Sequence, residues 1–381
     1  MLDLSTFKKW RDTLNYRQLI ALPLMIGVLA ACSDSNDRSD NIMQPEVVEE
    51  VVEESRPELS LSFTEPPIEL PGITANYAED VPYGDGERNL FDIFLPDCEE
   101  PTPLVIYIHG GGFTGGDKSG ALIAPEEIGE LLQSCVAYAA INYTLLKVPD
   151  EGESIETAAE QGGVLTSLRD TARALQFMRY HYESLNLDPE NVALFGASAG
   201  AGSSLWLGTH DDLADPDNED PVLRESTRVQ AVGALATQAT YDLLLWEEIL
   251  LPVTEPFVAV LGGTDIPTIA AAVGASNFLL TFLGVASLEE IDTPENEEYR
   301  ANIDMLALMD AGDAPIYVHN FEVSFDDLLN VFLHHSLHAI AVKDRADEVG
   351  LHSVAYAEDP VYMLEDPSGE DLISFLLRHI R

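Results

Sequence analysis

Positive charge is scarce in this sequence. Of its 381 residues, 19 are Lys or Arg against 67 Asp or Glu, a formal net charge of −48. A surface so acidic repels phosphate backbones, which excludes nucleic acid as a partner. Cysteine is scarcer still, with three residues. That excludes a disulfide-dense miniprotein and a Cys-rich zinc module. No apolar run reaches the roughly 18 residues that a spanning helix needs. No internal repeat is evident. Apolar residues are plentiful, at 46%. A chain of this length can therefore bury a sizeable core, as one large α/β domain or two ordinary ones.

Residues 1–18 carry Lys8, Lys9, Arg11 and Arg17, and an apolar run follows from Leu19 to Ala31. A basic head, an apolar stretch and small residues at its end make a secretory signal. The run closes on Leu29-Ala30-Ala31-Cys32, which resembles the bacterial lipoprotein signal. The resemblance implies a signal peptide over residues 1–31, lipidation of Cys32, and a membrane partner reached through that lipid anchor. With Ser33 next, it points to the outer membrane of a Gram-negative bacterium. Residues 32–71 read as an acidic, disordered tether. Positions 33–70 hold eleven acidic residues, two Arg and one aromatic, Phe63. Such a stretch buries too little apolar surface to offset its ordering entropy.

From residue 72 strands and helices alternate. Leu90–Leu95, Leu104–Ile108, Val136–Tyr143, Val192–Phe195, Val229–Ala236, Pro315–Phe321 and Ser353–Ala357 are strand candidates. Helical spacing runs over Ser167–Tyr182, Ala199–Leu207 and Asp371–Ile380. Alternation of this kind predicts an α/β domain over residues 72–381, with a mostly parallel sheet flanked by helices. Residues 242–313 interrupt the alternation with apolar stretches such as Phe278–Leu283. They read as a helical cap.

Gly196-Ala197-Ser198-Ala199-Gly200 lies between a strand and a helix. That is the context a nucleophile elbow requires. His109-Gly110-Gly111-Gly112 also follows a strand directly. Its glycines allow backbone N–H groups to converge without side-chain clash. With the N–H of Ala199, those of Gly111 and Gly112 form a candidate oxyanion hole. The glycine loop lacks the Lys-Ser/Thr of a phosphate-binding loop.

The two motifs, in this order and separation, resemble the α/β-hydrolase superfamily, and within it the carboxylesterase and hormone-sensitive-lipase-like branch. Supporting matches are Asp92–Pro96, His109–Asp117, Ile141–Tyr143, Leu168–Asp170 and Asp188–Gly196. The likeness covers about residues 85–210 and thins to general strand order beyond. It implies an α/β-hydrolase fold and a serine esterase without a cofactor, acting on a small-molecule carboxylic ester through an acyl-enzyme on Ser198. It places an acid after the strand that follows the cap, where Asp327 is the candidate and Asp326 the alternative, with Asp242 in reserve. It places a histidine after the last strand. There this chain departs, because Glu358–Ser368 contains none.

Three readings of that departure stay open. The base has moved to His334, His335 or His338, with His335 favoured. Alternatively, the triad is broken and the protein binds without turnover. In the third reading the cluster is a metal site for a metal-assisted hydrolase, since His334 and His338 stand at i, i+4; the favoured reading has no metal. In the fold so implied, Cys98 and Cys135 fall at one sheet edge, and an oxidising compartment favours a disulfide between them. The acidic run Asp211–Asp220 has neither the glycine nor the spacing of an EF-hand loop and reads as solvated.

Overall fold

Two-residue periodicity decides which core each strand residue enters. Along Thr102–Ile108, the side chains of Leu104, Ile106 and Ile108 join one core and Val105 the other. Along Ala137–Ile141, Ala137, Ala139 and Ile141 divide from Tyr138 and Ala140 in the same way. Strands apolar on both faces need cover on both. The computed structural model describes residues 56–321, 323, 324 and 327–381. The signal peptide, Cys32, most of the tether and Asp326 lie outside them.

Among the described residues the sheet has nine strands, β1 (Phe63–Thr64), β2 (Ala75–Pro82), β3 (Leu90–Pro96), β4 (Thr102–Ile108), β5 (Ala137–Ile141), β6 (Leu187–Ala197), β7 (Ala231–Leu235), β8 (Ile316–Asn320) and β9 (Ser353–Ala357), in the order β1-β2-β3-β5-β4-β6-β7-β8-β9. Pairing is antiparallel from β1 to β5 across the sheet and parallel from β5 to β9. This is the α/β-hydrolase fold. Helices α1 (Pro125–Gln133) and α10 (Leu372–Ile380) cover one face through Ile128, Leu131, Phe375 and Leu376. On the other lie α2 (Val164–Tyr180), α3 (Ala199–Thr209) and α9 (Ser336–Val349), through Leu168, Leu175, Leu205 and Val342.

Between β7 and β8 the longer elements are all helical: α4 (Trp246–Thr254), α5 (Ile266–Val273), α6 (Ser276–Leu283) and α7 (Pro294–Asn302). Asp242, held in reserve as an acid, anchors this insertion instead. Its carboxylate accepts from Arg300 at 2.8 Å and both are largely buried. The folded body also takes in residues that the sequence reading gave to the tether. Phe63 and Thr64 pair with β2, Leu59 donates its N–H to Ser184 Oγ at 3.0 Å, and Ile68 and Leu70 pack beside the core. Spaced apolar residues among the acids and prolines suffice to dock the segment, so the body starts at Pro57. Cys98 and Cys135, at the ends of adjacent segments, are joined by a disulfide with Cα atoms 6.2 Å apart.

Candidate active site

Three loops meet at the carboxyl ends of parallel strands, the edge where open α/β sheets hold ligands. One follows β6. Ser198 stands between β6 and α3 at φ 54°, ψ −119°, a conformation that costs free energy in a residue with a Cβ and persists only where its surroundings enforce it. Here both flanks do so. Ser198 N–H donates to Leu235 O at 2.9 Å, and Ser198 O accepts from Gly202 N–H at 3.1 Å. A Cβ on Gly200 would overlap the carbonyl of Ile108. The sharp turn therefore excludes any side chain at that position.

The second loop follows β4. Register pairs Ile108 with Gly196, which sets the glycine loop against the elbow. A Cβ on Gly110 would lie 3.2 Å from the Ser198 Cβ. Gly111 and Gly112 have φ of 111° and 59°. Among the described residues, no hydrogen bond takes up the N–H of Gly111, Gly112 or Ala199.

The third loop follows β8 and carries the histidines. Ser198 Oγ–H donates to His334 Nε2 at 2.8 Å. His334 Nδ1–H donates to Asn330 Oδ1 at 2.6 Å. Both residues lie on α8 (Leu328–His334), one turn apart. This tautomer leaves Nε2 free to take the serine proton. Burial pushes the His334 imidazole below the usual histidine range, and the Asp327 charge opposes that.

Two sequence expectations are corrected here. His335 is not the ring on Ser198. It is wholly buried, its Nδ1 accepts from Leu337 N–H at 3.1 Å to cap α9, and its Nε2 faces Asp359 Oδ2 at 3.8 Å. The chain turns between α8 and α9, so consecutive side chains point to different surroundings. Asp327 is not the hydrogen-bond partner of the ring either. It is the N-cap of α8, accepting from Asn330 N–H at 3.1 Å. The amide of Asn330 takes the place expected for a carboxylate. The spacing Asn330–His334, i to i+4 on one helix face, was a usable signal that the sequence reading passed over.

His338 is structural. Its Nδ1 accepts from Ala239 N–H at 3.2 Å and its Nε2–H donates to Phe332 O at 2.9 Å. Complete burial is the largest cause that pushes its imidazole down to about 4. The ring nitrogens of His334 and His338 are engaged by Ser198, Asn330, Ala239 and Phe332, and those of His335 face Leu337 and Asp359. Among the described residues no group of three His, Cys, Asp or Glu is placed to hold a metal ion. The geometry thus gives the metal reading no support.

Residues that sequence reasoning missed hold this turn in place. Asn320, fully buried at the end of β8, donates from Nδ2 to the carbonyls of Thr237, His334 and His335 at 2.9, 3.1 and 3.2 Å. Its Oδ1 accepts from Thr237 N–H at 2.9 Å. Gln238 donates to Leu333 O at 2.7 Å. Asp359 N–H donates to Ser336 Oγ at 3.1 Å. Within the acidic run near residue 215, Asp212 accepts from Thr227 N–H and Asp220 pairs with Arg173 of α2.

The BD-FAE family model matches residues 91–250, which include both glycine motifs. A probable isoprenylcysteine alpha-carbonyl methylesterase of Arabidopsis thaliana is 24% identical over 165 residues, 42% of this chain and 30% of its own. A probable carboxylic ester hydrolase of Mycobacterium tuberculosis is 28% identical over 201 residues, 50% of this chain and 42% of its own. The chain thus spans less than half the length of these relatives. Among solved structures, an inhibited esterase B from Lactobacillus rhamnosis superposes with a TM-score of 0.50 at 14% identity, covering 82% of this chain and 88% of its own. At that identity the likeness concerns the fold.

Proposed function

We propose that this protein is a serine hydrolase of carboxylic esters, with Ser198 as nucleophile and His334 as general base. The observation that carries the reading is the 2.8 Å hydrogen bond from Ser198 Oγ to His334 Nε2, made on a strained elbow beside a glycine loop. In this reading Oγ attacks the ester carbonyl carbon and His334 Nε2 takes the hydroxyl proton. The carbonyl oxygen becomes an oxyanion, and the N–H groups of Gly111, Gly112 and Ala199 receive it. Collapse expels the alcohol, which takes the proton from His334 and leaves an acyl-enzyme. Water, deprotonated by the same nitrogen, releases the acid and restores Ser198.

Asn330 holds the ring with Nδ1 protonated. A neutral amide steadies the imidazolium less than a carboxylate would, and the Asp327 charge on the same helix supplies part of the difference. Most of the sequence relatives bear esterase names, which supports an ester substrate. For the N-terminal segment we retain the lipid anchor at Cys32 and the outer membrane as destination, on the lipoprotein-like motif. Incorporation of an alkyne-tagged fatty acid, abolished by Cys32→Ala, is the expected result there.

Hydrolysis of p-nitrophenyl butyrate by the protein, with Ser198→Ala beside it, tests the esterase reading. Turnover that vanishes in the variant supports it. No turnover by folded protein over several acyl lengths contradicts it and favours a binding role.

A further inference from the structure

We propose that Arg88, on the turn before β3, is a positioning residue that aims the Gly111 N–H at the oxyanion. The proposal rests on the serine-esterase reading of this site and extends it. Its physical basis is the peptide plane. The Gly110 carbonyl and the Gly111 N–H belong to one trans peptide unit, so they point in opposite directions. Whatever fixes that carbonyl also fixes the N–H.

The carbonyl is fixed by His109, whose Nδ1–H donates to Gly110 O at 2.7 Å. Gly116 closes on the same pair at φ 94°, and a Cβ there would overlap both Gly110 O and the His109 ring. His109 can donate from Nδ1 in the neutral state only if its other nitrogen is an acceptor. Arg88 Nη2 supplies the donor, 3.3 Å from His109 Nε2. The same Nη2 lies 2.9 Å from Gly116 O and 3.0 Å from Asn142 Oδ1, so its two hydrogens serve three acceptors through one shared, three-centre bond, and Arg88 Nε donates to Tyr143 O at 3.0 Å. One guanidinium thus ties together the imidazole, the returning limb of the loop and the end of β5.

The ring has no other room to move. It is 2% exposed and stacks on Tyr143 with centroids 4.3 Å apart. The Tyr143 hydroxyl donates to His109 O at 2.8 Å. Burial lowers the proton affinity of His109; the hydrogen bond to Gly110 O opposes that, the guanidinium adds to it by less, and Asp117 and Asn142 oppose it by less still. The planar fork matters as well as the charge: Nε and Nη2 reach acceptors on separate segments, which an ammonium on a flexible stem does not reproduce. Arg88 touches none of the reacting atoms in this arrangement, so its contribution passes through the loop.

The test compares Arg88→Lys and Arg88→Met with the parent, and with Arg228→Met as a control on a remote loop. Steady-state constants for p-nitrophenyl butyrate are measured beside the Ki of an alkyl trifluoromethyl ketone. That inhibitor forms a tetrahedral adduct on the serine and so needs the oxyanion donors. Expected for Arg88→Lys is a fall in kcat of roughly 10- to 100-fold with KM within about threefold, and a matching rise in Ki. Arg228→Met leaves all three unchanged. A purely structural role would instead lower the active fraction and leave Ki where it was. Unchanged kcat and Ki in folded Arg88→Lys would overturn the proposal, as would a loss confined to KM. If Arg88→Met fails to fold, Arg88→Lys decides alone. A parent without turnover removes the esterase reading, and this proposal with it. A parent that turns over with an indifferent Arg88 removes this proposal only.

Discussion

The two halves of the candidate site are made of different material. The elbow and the glycine loop are made of backbone: Ser198 at positive φ, Gly200 against the Ile108 carbonyl, Gly111 and Gly112 at positive φ. The histidine turn is made of side chains: Asn330 on His334, Asn320 on the carbonyls of His334 and His335, Gln238 on Leu333, Asp359 on Ser336 and across from His335. Backbone geometry of the first kind admits almost one sequence. Side-chain scaffolding of the second kind can be assembled from residues scattered between Gln238 and Asp359. That difference explains why one half forms a compact motif and the other does not.

Breaking the backbone half should have the largest effect. Gly200→Ala places a methyl group against a strand carbonyl that cannot retreat without disrupting β4. Destabilisation of about 4 kcal/mol or more is expected, with loss of activity, by urea unfolding. A stable, active Gly200→Ala would show that the elbow tolerates relaxation. The side-chain half should be softer. Asn320→Ala removes four hydrogen bonds and strands the buried Thr237 N–H. The same measurement should give about 3 kcal/mol, with kcat reduced in the protein that remains folded.

Acid should loosen the histidine turn through His338. Its imidazole titrates near 4 in the fold and near 6.5 in an unfolded chain. Between those values the unfolded state binds a proton that the native state refuses. Stability therefore falls as pH drops through that window and is unaffected by this group above it. The full effect is about 3 kcal/mol. Comparing unfolding free energies at pH 7 and pH 4.5 for the parent and His338→Gln should show a shallower fall in the variant. An identical fall would mean that His338 is not the buried neutral ring described here.

The smallest effect concerns the third member of the relay. Asn330→Asp sets a negative charge on His334 Nδ1, which favours the protonated ring. The acid limb of kcat/KM should move to higher pH by about one unit. In the parent that limb is expected below the usual histidine value, because burial lowers the His334 imidazole. A limb that does not move would separate Asn330 from the base.

Much of this was legible in the sequence, for local reasons. Leu104–Ile108, Val192–Phe195 and Ser353–Ala357 announce strands by apolar content alone, and the structure places strands there. Ser198 and His109–Gly112 are contiguous motifs. β1 and β2 were missed because Phe63–Thr64 and Ala75–Pro82 sit among acids and prolines; β1 takes its order from pairing with β2, and β2 from pairing with β3. The choice of His334 over His335 was illegible for a geometric reason. Adjacent residues diverge at the helix-to-helix turn, where His335 adopts φ −57°, ψ 145°. The partner of His334 was sought among carboxylates, and an amide one helical turn away was overlooked. Arg88 left no signal at all, since its partners, His109, Gly116 and the pair Asn142-Tyr143, come from three places in the chain.

The account's central claim is that His334 activates Ser198. A fluorophosphonate probe reports that activation directly, because it phosphonylates only an activated hydroxyl. The probe should label the parent and His335→Ala, and it should fail to label His334→Ala and Ser198→Ala. Labelling of His334→Ala at the parental rate, with His335→Ala unlabelled though folded, would contradict the account.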